Sequence, residues 1–254
     1  MTNAPLGSAP LGSAPLGDGP IGVAKLGGSL LDDPRLIAHL RSWLLAQEPM
    51  RWVMVVGGGP LADAVRRADR MHALGDENCH WLCVRAMGFH AELLHAMLPE
   101  SRLARHPREI SRRANAPQSS SAAEPQHPPP LTLLDPWSFL QDDEASPQDV
   151  SLQGKEATPQ NFGATLNGPL PHTWDVTSDS IAARLARRLG AKSLVLLKSR
   201  LPEQPSTLET ACECGYVDRH FRVAAAGMTV RCVNLRDDLS DERFPEVKWE
   251  ENPA

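Results

Sequence analysis

Twice near its start the chain runs a short apolar segment into a glycine turn and then into a stretch of helical period. IGVAKL leads into Gly27-Gly28-Ser29, and Leu36, Ile37, Leu40, Trp43 and Leu44 follow at helical spacing, with Asp33-Pro34 expected as N-cap and first helical position. RWVMVV then leads into Gly57-Gly58-Gly59-Pro60, followed by the amphipathic LADAVRRADRMHAL. Continuous apolar runs, as opposed to alternating ones, belong to strands covered on both faces, which is the condition of a parallel sheet. Residues 78–98 carry apolar positions too dense for a solvated helix and predict a long helix half-buried against that sheet. The pattern returns in DVTSDSIAARLARRLG, with Ile181, Leu185 and Leu189 on one stripe and Gly190 as C-cap, and in AKSLVLLKS, an apolar strand ending at Lys198. TACECGYVDRHFRVAAAG predicts helical pieces and MTVRCVNLR the last strand. Alternation of this kind specifies an α/β fold with a mostly parallel sheet, whose ligands gather at the carboxyl ends of the strands.

Not all of the 254 residues belong to such a core, because only 41% are hydrophobic and the chain carries 23 prolines. The pentad APLGS, APLGS, APLGD opens the sequence, and one leucine per unit cannot offset its ordering entropy, so residues 1–20 are expected to be a disordered tail. Residues 21–254 are expected to form a single domain with a low-complexity insert at about 107–170. Within it, residues 114–130 and 146–163 predict solvated loops, and LTLLDPWSFLQ between them predicts one strand and a short helix. A formal charge of −5 argues against nucleic acid or an anionic membrane as the main partner. There is no long apolar run and no charged-then-apolar start, so a cytoplasmic location is expected. An odd count of five cysteines suits free thiols.

The chemistry concentrates in three turns that follow apolar strands and precede helices: Lys25-Leu26-Gly27-Gly28-Ser29, Gly57-Gly58-Gly59, and Asp175-Val176-Thr177-Ser178-Asp179-Ser180. Glycines at a strand's end let backbone N–H groups approach an anion, and the following helix N-terminus adds partial positive charge. Either glycine turn alone reads equally as a tight turn requiring positive φ. The two together, with a lysine two residues before the first, point to two anion sites. The lysine precedes the glycines, so this is not a Walker A loop, and no GxGxxG turn is present. Only five basic residues are lysines, which singles out Lys198 at a strand end; it reads either as a second cation for the site or as a lysine snorkelling to solvent. Asp179 reads as an N-cap or first-turn acid unless a family pattern says otherwise, and Asp63 and Arg66 as acceptor contacts or a solvated ion pair. Cys79, His80 and Cys83, with Cys212 and Cys214 far downstream, sketch a zinc site, but no C-x₂-C spacing supports it, and no metal ligands are assigned. His90 and His95 are expected to be half-exposed helical histidines unless a family pattern makes them pocket lining.

VAKLGGSLL, VVGGGPLADAVRRAD and TSDSIAARLARRLGAKSLVLL together resemble the three signature segments of the amino acid kinase superfamily. The resemblance covers roughly residues 22–106 and 170–236. GGGPLADAVRRADRMHALGDENCHWLCVRAM, WDVTSDSIAARLA and GYVDRHF are further similar to the branch that phosphorylates an aminomethylfuran methyl phosphate in methanofuran biosynthesis. It implies a three-layer αβα sandwich, a homodimer, and ATP-dependent phosphoryl transfer to a phosphate or carboxylate, with ATP and Mg²⁺ as cofactors. It implies Lys25 as the cation on the transferring phosphoryl group, and Gly27, Gly28 and Ser29, with Thr177 and Ser178, as the nucleotide cradle. Gly57, Gly58 and Gly59, with Asp63 and Arg66, would hold the acceptor, and Asp179 would position the lysines and the metal-bound nucleotide. Asp175 is a lesser candidate. The sequence departs from the family in two places: the strand end is Leu197-Lys198-Ser199 in place of a Thr-Asp pair, and Gly227-Met228 is followed by no lysine. Lys198 is the residue placed to supply the missing charge. The other reading compatible with those departures is a non-catalytic relative that binds a small anionic metabolite.

Overall fold

The computed structural model describes residues 19–110, 130–145, 168–203, 207–237 and 244–250. Seven strands form one sheet in the order β3-β4-β2-β1-β5-β6-β7. At its centre β1 (Ile21–Leu26) pairs in parallel with β2 (Arg51–Val56) on one side and with β5 (Ser193–Lys198) on the other. All six residues of β1 are buried, which accounts for a run without polar alternation. β3 (Arg102–Ala104) and β4 (Leu131–Leu134) extend the sheet past β2, and β6 (Val230–Asn234) extends it past β5, all parallel.

The pleat divides the core in two. Ala24, Leu26, Met54, Val56, Val195 and Leu197 pack with Leu36, Leu40, Trp43 and Leu44 of α1 (Leu36–Leu45). Val23, Val53, Val55, Leu194 and Leu196 pack with Val84 and Met87 of α3 (Asp76–Met97) and with Ile181, Ala182 and Leu185 of α6 (Ser178–Leu189). Side chains two apart on a strand share a face, so Lys25 follows Val23, and Lys198 follows Leu196, toward α6. Both lysines therefore stand at carboxyl ends of adjacent parallel strands, where Lys25 pairs with Leu196 and Leu26 with Leu197. α2 (Gly59–His72) follows the second glycine turn, and no helix among the described residues is long and apolar enough to cross a membrane.

The α/β expectation holds, with differences at the margins. MTVRCVNLR is not the last strand: β7 (Glu246–Trp249) adds an antiparallel edge, Val230 opposite Trp249. Its alternation of Glu246 and Lys248 with apolar residues is that of an edge strand. LTLLDPWSFLQ supplies β4 and α5 (Pro136–Ala145), as expected, and β4 lies between β2 and β3 within the sheet, so this stretch of the supposed insert is part of the core. α5 is held to α6 by a buried pair, Arg184 Nε to Asp143 Oδ2 at 2.8 Å. α4 (Pro107–Ile110), α7 (Leu208–Glu213) and α8 (Phe221–Ala224) complete the elements. α1 starts at Leu36, three residues after the expected cap; Asp33 instead accepts the Arg35 backbone N–H at 2.9 Å, and Leu36 N–H bonds the Asp33 carbonyl. The pentad repeats and the loops expected at 114–130 and 146–163 lie outside the described residues, save Pro130.

Candidate active site

Asp179 is buried in the first turn of α6 and meets both strand-end lysines. Lys25 Nζ lies 2.9 Å from its Oδ1 and Lys198 Nζ 2.7 Å from its Oδ2. Burial alone would push this carboxyl up, but Lys198 and Lys25 together outweigh it and hold it at about 2. Asp179 is thus a carboxylate at any ordinary pH. Burial pushes the Lys25 ammonium down, with Asp179 opposing and Lys198 adding to the shift. Lys198 also donates to the Tyr216 carbonyl at 2.9 Å and sits 5.0 Å from that ring's centroid, so it is fixed inward and does not snorkel.

The N-terminus of α6 is ordered by two other groups. Thr177 is the N-cap and accepts from the Asp179 N–H at 3.4 Å, so Asp179 is a first-turn acid and not the cap. Asp218 accepts from the backbone N–H of Thr177 (2.9 Å) and of Ser180 (3.1 Å) and from the Thr177 hydroxyl (2.8 Å). Burial, then the nearby Asp179 charge, pushes its carboxyl up, and these donors oppose the shift. Asp218 was not singled out in sequence, because nothing local links it to a helix start about 40 residues earlier.

Two cavities flank the lysine–aspartate cluster. The first, about 220 Å³, is lined by Lys25, Gly28, Gly57, Gly58, Gly59, Asp63, Arg66, Thr177 and Ser178, over an apolar floor that includes Val84, Met87 and Ile181. The second, about 470 Å³, is lined by Asp175, Thr177, Asp179, Lys198, Tyr216, Asp218 and others. Trp174 and Thr177 line both. In the first cavity Arg66 is paired with Asp63 at 2.9 Å and lies 4.9 Å over the Trp174 ring, whose Nε1 donates to Asp69 at 3.1 Å.

The two glycine turns touch. A Cβ on Gly28 would lie 2.5 Å from both Cα and N of Gly59, and Gly59 has φ +45°. The loop-to-loop approach, and not phosphate contact alone, requires glycine at both positions. Gly28 lines the same cavity as Gly57–Gly59, while Gly27 and Ser29 line neither of the two. Ser29 bonds instead across to Ser199, hydroxyl to hydroxyl at 3.3 Å. Gly28→Ala should therefore push backbone against backbone and cost about 1–3 kcal/mol, the range of overpacking. A fall of several degrees in thermal midpoint is expected, and an unchanged melt would contradict the contact.

His90 is buried, contrary to expectation, and its Nδ1 meets the Gly57 carbonyl at 2.7 Å, steadying the second glycine turn. His95 is half-buried against Ser101. The zinc set sketched from sequence is divided: Cys79, His80 and Cys83 line the first cavity, Cys212 and Cys214 the second. Burial pushes the Cys83 thiol up to about 11, so it is a neutral, unreactive group. Burial and then His172 lower the His80 pKa to about 4.

No family model matches the chain, and no curated protein matches it. Solved structures do. The uridylate kinase of Archaeoglobus fulgidus shares 16% identity over 84% of this chain and 89% of its own, with TM-score 0.43. The UMP kinase of Ureaplasma parvum shares 12% over 86% and 91%, with TM-score 0.47. The UMP kinase of Bacillus anthracis shares 10% over 86% and 88%, with TM-score 0.50. At such identity the last of these likenesses bears on architecture alone, and with the parallel sheet described above it establishes that the chain has the amino acid kinase fold.

Proposed function

We propose that the protein is an ATP-dependent kinase of small molecules that transfers the γ-phosphoryl group to a phosphate or carboxylate acceptor. The observation that carries this reading is one buried carboxylate, Asp179, gripping two ammonium groups at 2.9 and 2.7 Å where two cavities meet. Phosphoryl transfer needs fixed positive charge on the equatorial oxygens and two in-line ligands, and little else from the protein. Lys25, facing the smaller cavity, would neutralise the group in transit; Lys198, facing the larger, would hold the nucleotide's phosphates. Asp179 orients both and does not itself react.

The smaller cavity suits an acceptor below the roughly 300–1,000 Å³ of drug-sized ligand sites. Lys25, Arg66 and the N-terminus of α2 would meet its anionic group, and Val84, Met87 and Ile181 its apolar body. An aminomethylfuran methyl phosphate satisfies both demands, and the sequence resemblance favours it. Asp179 spends its oxygens on lysines, and Asp218 spends its own on the α6 N-terminus. Mg²⁺ fits as an ion carried on the nucleotide's phosphates, with Asp175 at the rim, and its chemistry there would be charge neutralisation.

Titration calorimetry with Mg²⁺ and a non-hydrolysable ATP analogue tests the reading. Micromolar binding is expected, weakened at least tenfold in Lys198→Ala. Absence of binding by the folded protein, both alone and with a small phosphomonoester present, would favour instead a non-catalytic binder of anionic metabolites.

A further inference from the structure

We propose that His80, Glu144 and His172 form a binding site for a transition-metal ion of the Zn²⁺ class, separate from any ion carried by a nucleotide. The three residues come from α3, from the end of α5, and from the segment that leads into α6, and their donor atoms lie within 4.8 Å of one another. His80 is only 8% exposed, and its Nε2 is buried without a hydrogen-bond partner. A buried ring nitrogen left unmet calls for a ligand.

His172 is already arranged as a metal-binding imidazole would be. Its Nε2 lies 2.8 Å from Glu144 Oε1, and its Nδ1 lies 2.5 Å from Glu77 Oε2. An ion between Nε2 and Glu144 would replace the proton those atoms share. Glu77 would stay on the Nδ1–H as the carboxylate that fixes the ring, and Trp81 Nε1 holds Glu77 in turn at 2.7 Å. The His80 and His172 rings are stacked, centroids 4.0 Å apart and planes 14° apart, so their in-plane lone pairs lie in separate, nearly parallel planes. One ring must turn for both to reach the same ion. Glu144 is at the exposed end of α5 and can follow. Two imidazoles and a carboxylate make the donor set of Zn²⁺ and its neighbours, not of Mg²⁺, and three donors leave the fourth tetrahedral position to water. Such an ion would tie α3 to α5 and to the approach to α6.

Equilibrium dialysis of the chelator-treated full chain against Zn²⁺, followed by elemental analysis, tests the site, with Co²⁺ as a spectroscopic probe. One ion per chain is expected, with a Co²⁺ spectrum lacking thiolate charge transfer. His172→Ala and Glu144→Gln should each weaken binding at least tenfold and abolish the Zn²⁺-dependent rise in melting temperature. Glu77→Gln should weaken it 10- to 100-fold. The exposed Glu144 makes its variant the safeguard should His172→Ala fail to fold. Failure of the wild type to bind at tens of micromolar Zn²⁺ would overturn the site. So would binding that survives Glu144→Gln but is lost in the Cys212→Ser, Cys214→Ser double variant.

Discussion

Asp179→Asn is expected to destabilise the protein by about 3–5 kcal/mol, the cost of removing one partner from a buried ion pair. The substitution is nearly isosteric, so the loss is electrostatic: Lys25 and Lys198 remain inward, close together and without their shared counter-charge. For a chain of this size the thermal midpoint should fall by roughly 6–20 °C. The identity of the cause can be checked by restoring neutrality, since Lys25→Met combined with Asp179→Asn should recover part of the loss and inorganic phosphate should recover part in the single variant. The sign with pH follows from the depressed carboxyl. Its contribution is fully present above the unfolded value of 3.8 and is lost as pH falls through about 2. The wild type should show an acid limb of destabilisation in that window, and Asp179→Asn should have that limb reduced. A melt within a degree of wild type would mean that the two lysines do not depend on this carboxylate.

How much of this was legible in the sequence depends on the distance over which each residue acts. Lys25 and the glycine turns were visible because strand, turn and helix are contiguous, and Lys198 because a lysine at the end of LVLLK is unusual in a chain whose basic residues are nearly all arginine. Pleat parity then carries both lysines to one face, so their meeting at Asp179 follows from strand pairing. Asp218 was invisible for the opposite reason: it caps α6 from about 40 residues downstream, and no periodicity reports such a contact. Trp174 and His172 lie in a short segment of no periodic character, and their side chains find partners in α2, α3 and α5. Gly28 was visible as a glycine, but its close approach to the backbone of Gly59 was not, because the two turns meet only in the fold. β3 and β7, at three and four residues, fall below the length at which a pattern of two can be distinguished from a loop.

Lys25→Ala should lower turnover on the order of 10²–10³, the effect of losing one preorganised group that stabilises developing charge. It should do so with a smaller effect on nucleotide affinity, because Lys25 lines the smaller cavity and Lys198 the larger. Lys198→Ala should show the reverse balance, a loss of nucleotide affinity of roughly 10- to 150-fold, the worth of a charged hydrogen bond of about 1.5–3 kcal/mol. The split separates two roles that the geometry makes symmetrical around Asp179, since either alanine still leaves that carboxylate one partner and the fold one intact pair. Stability should therefore change less in either lysine variant than in Asp179→Asn, so a kinetic defect can be read apart from unfolding. If Lys25→Ala abolished turnover while Lys198→Ala left both turnover and nucleotide affinity untouched, Lys198 would be a structural partner of Asp179 and no substitute for the lysine missing after Gly227-Met228. If both variants kept wild-type turnover, phosphoryl transfer would not run through this cluster, and the roles given to Lys25 and Lys198 would both fall.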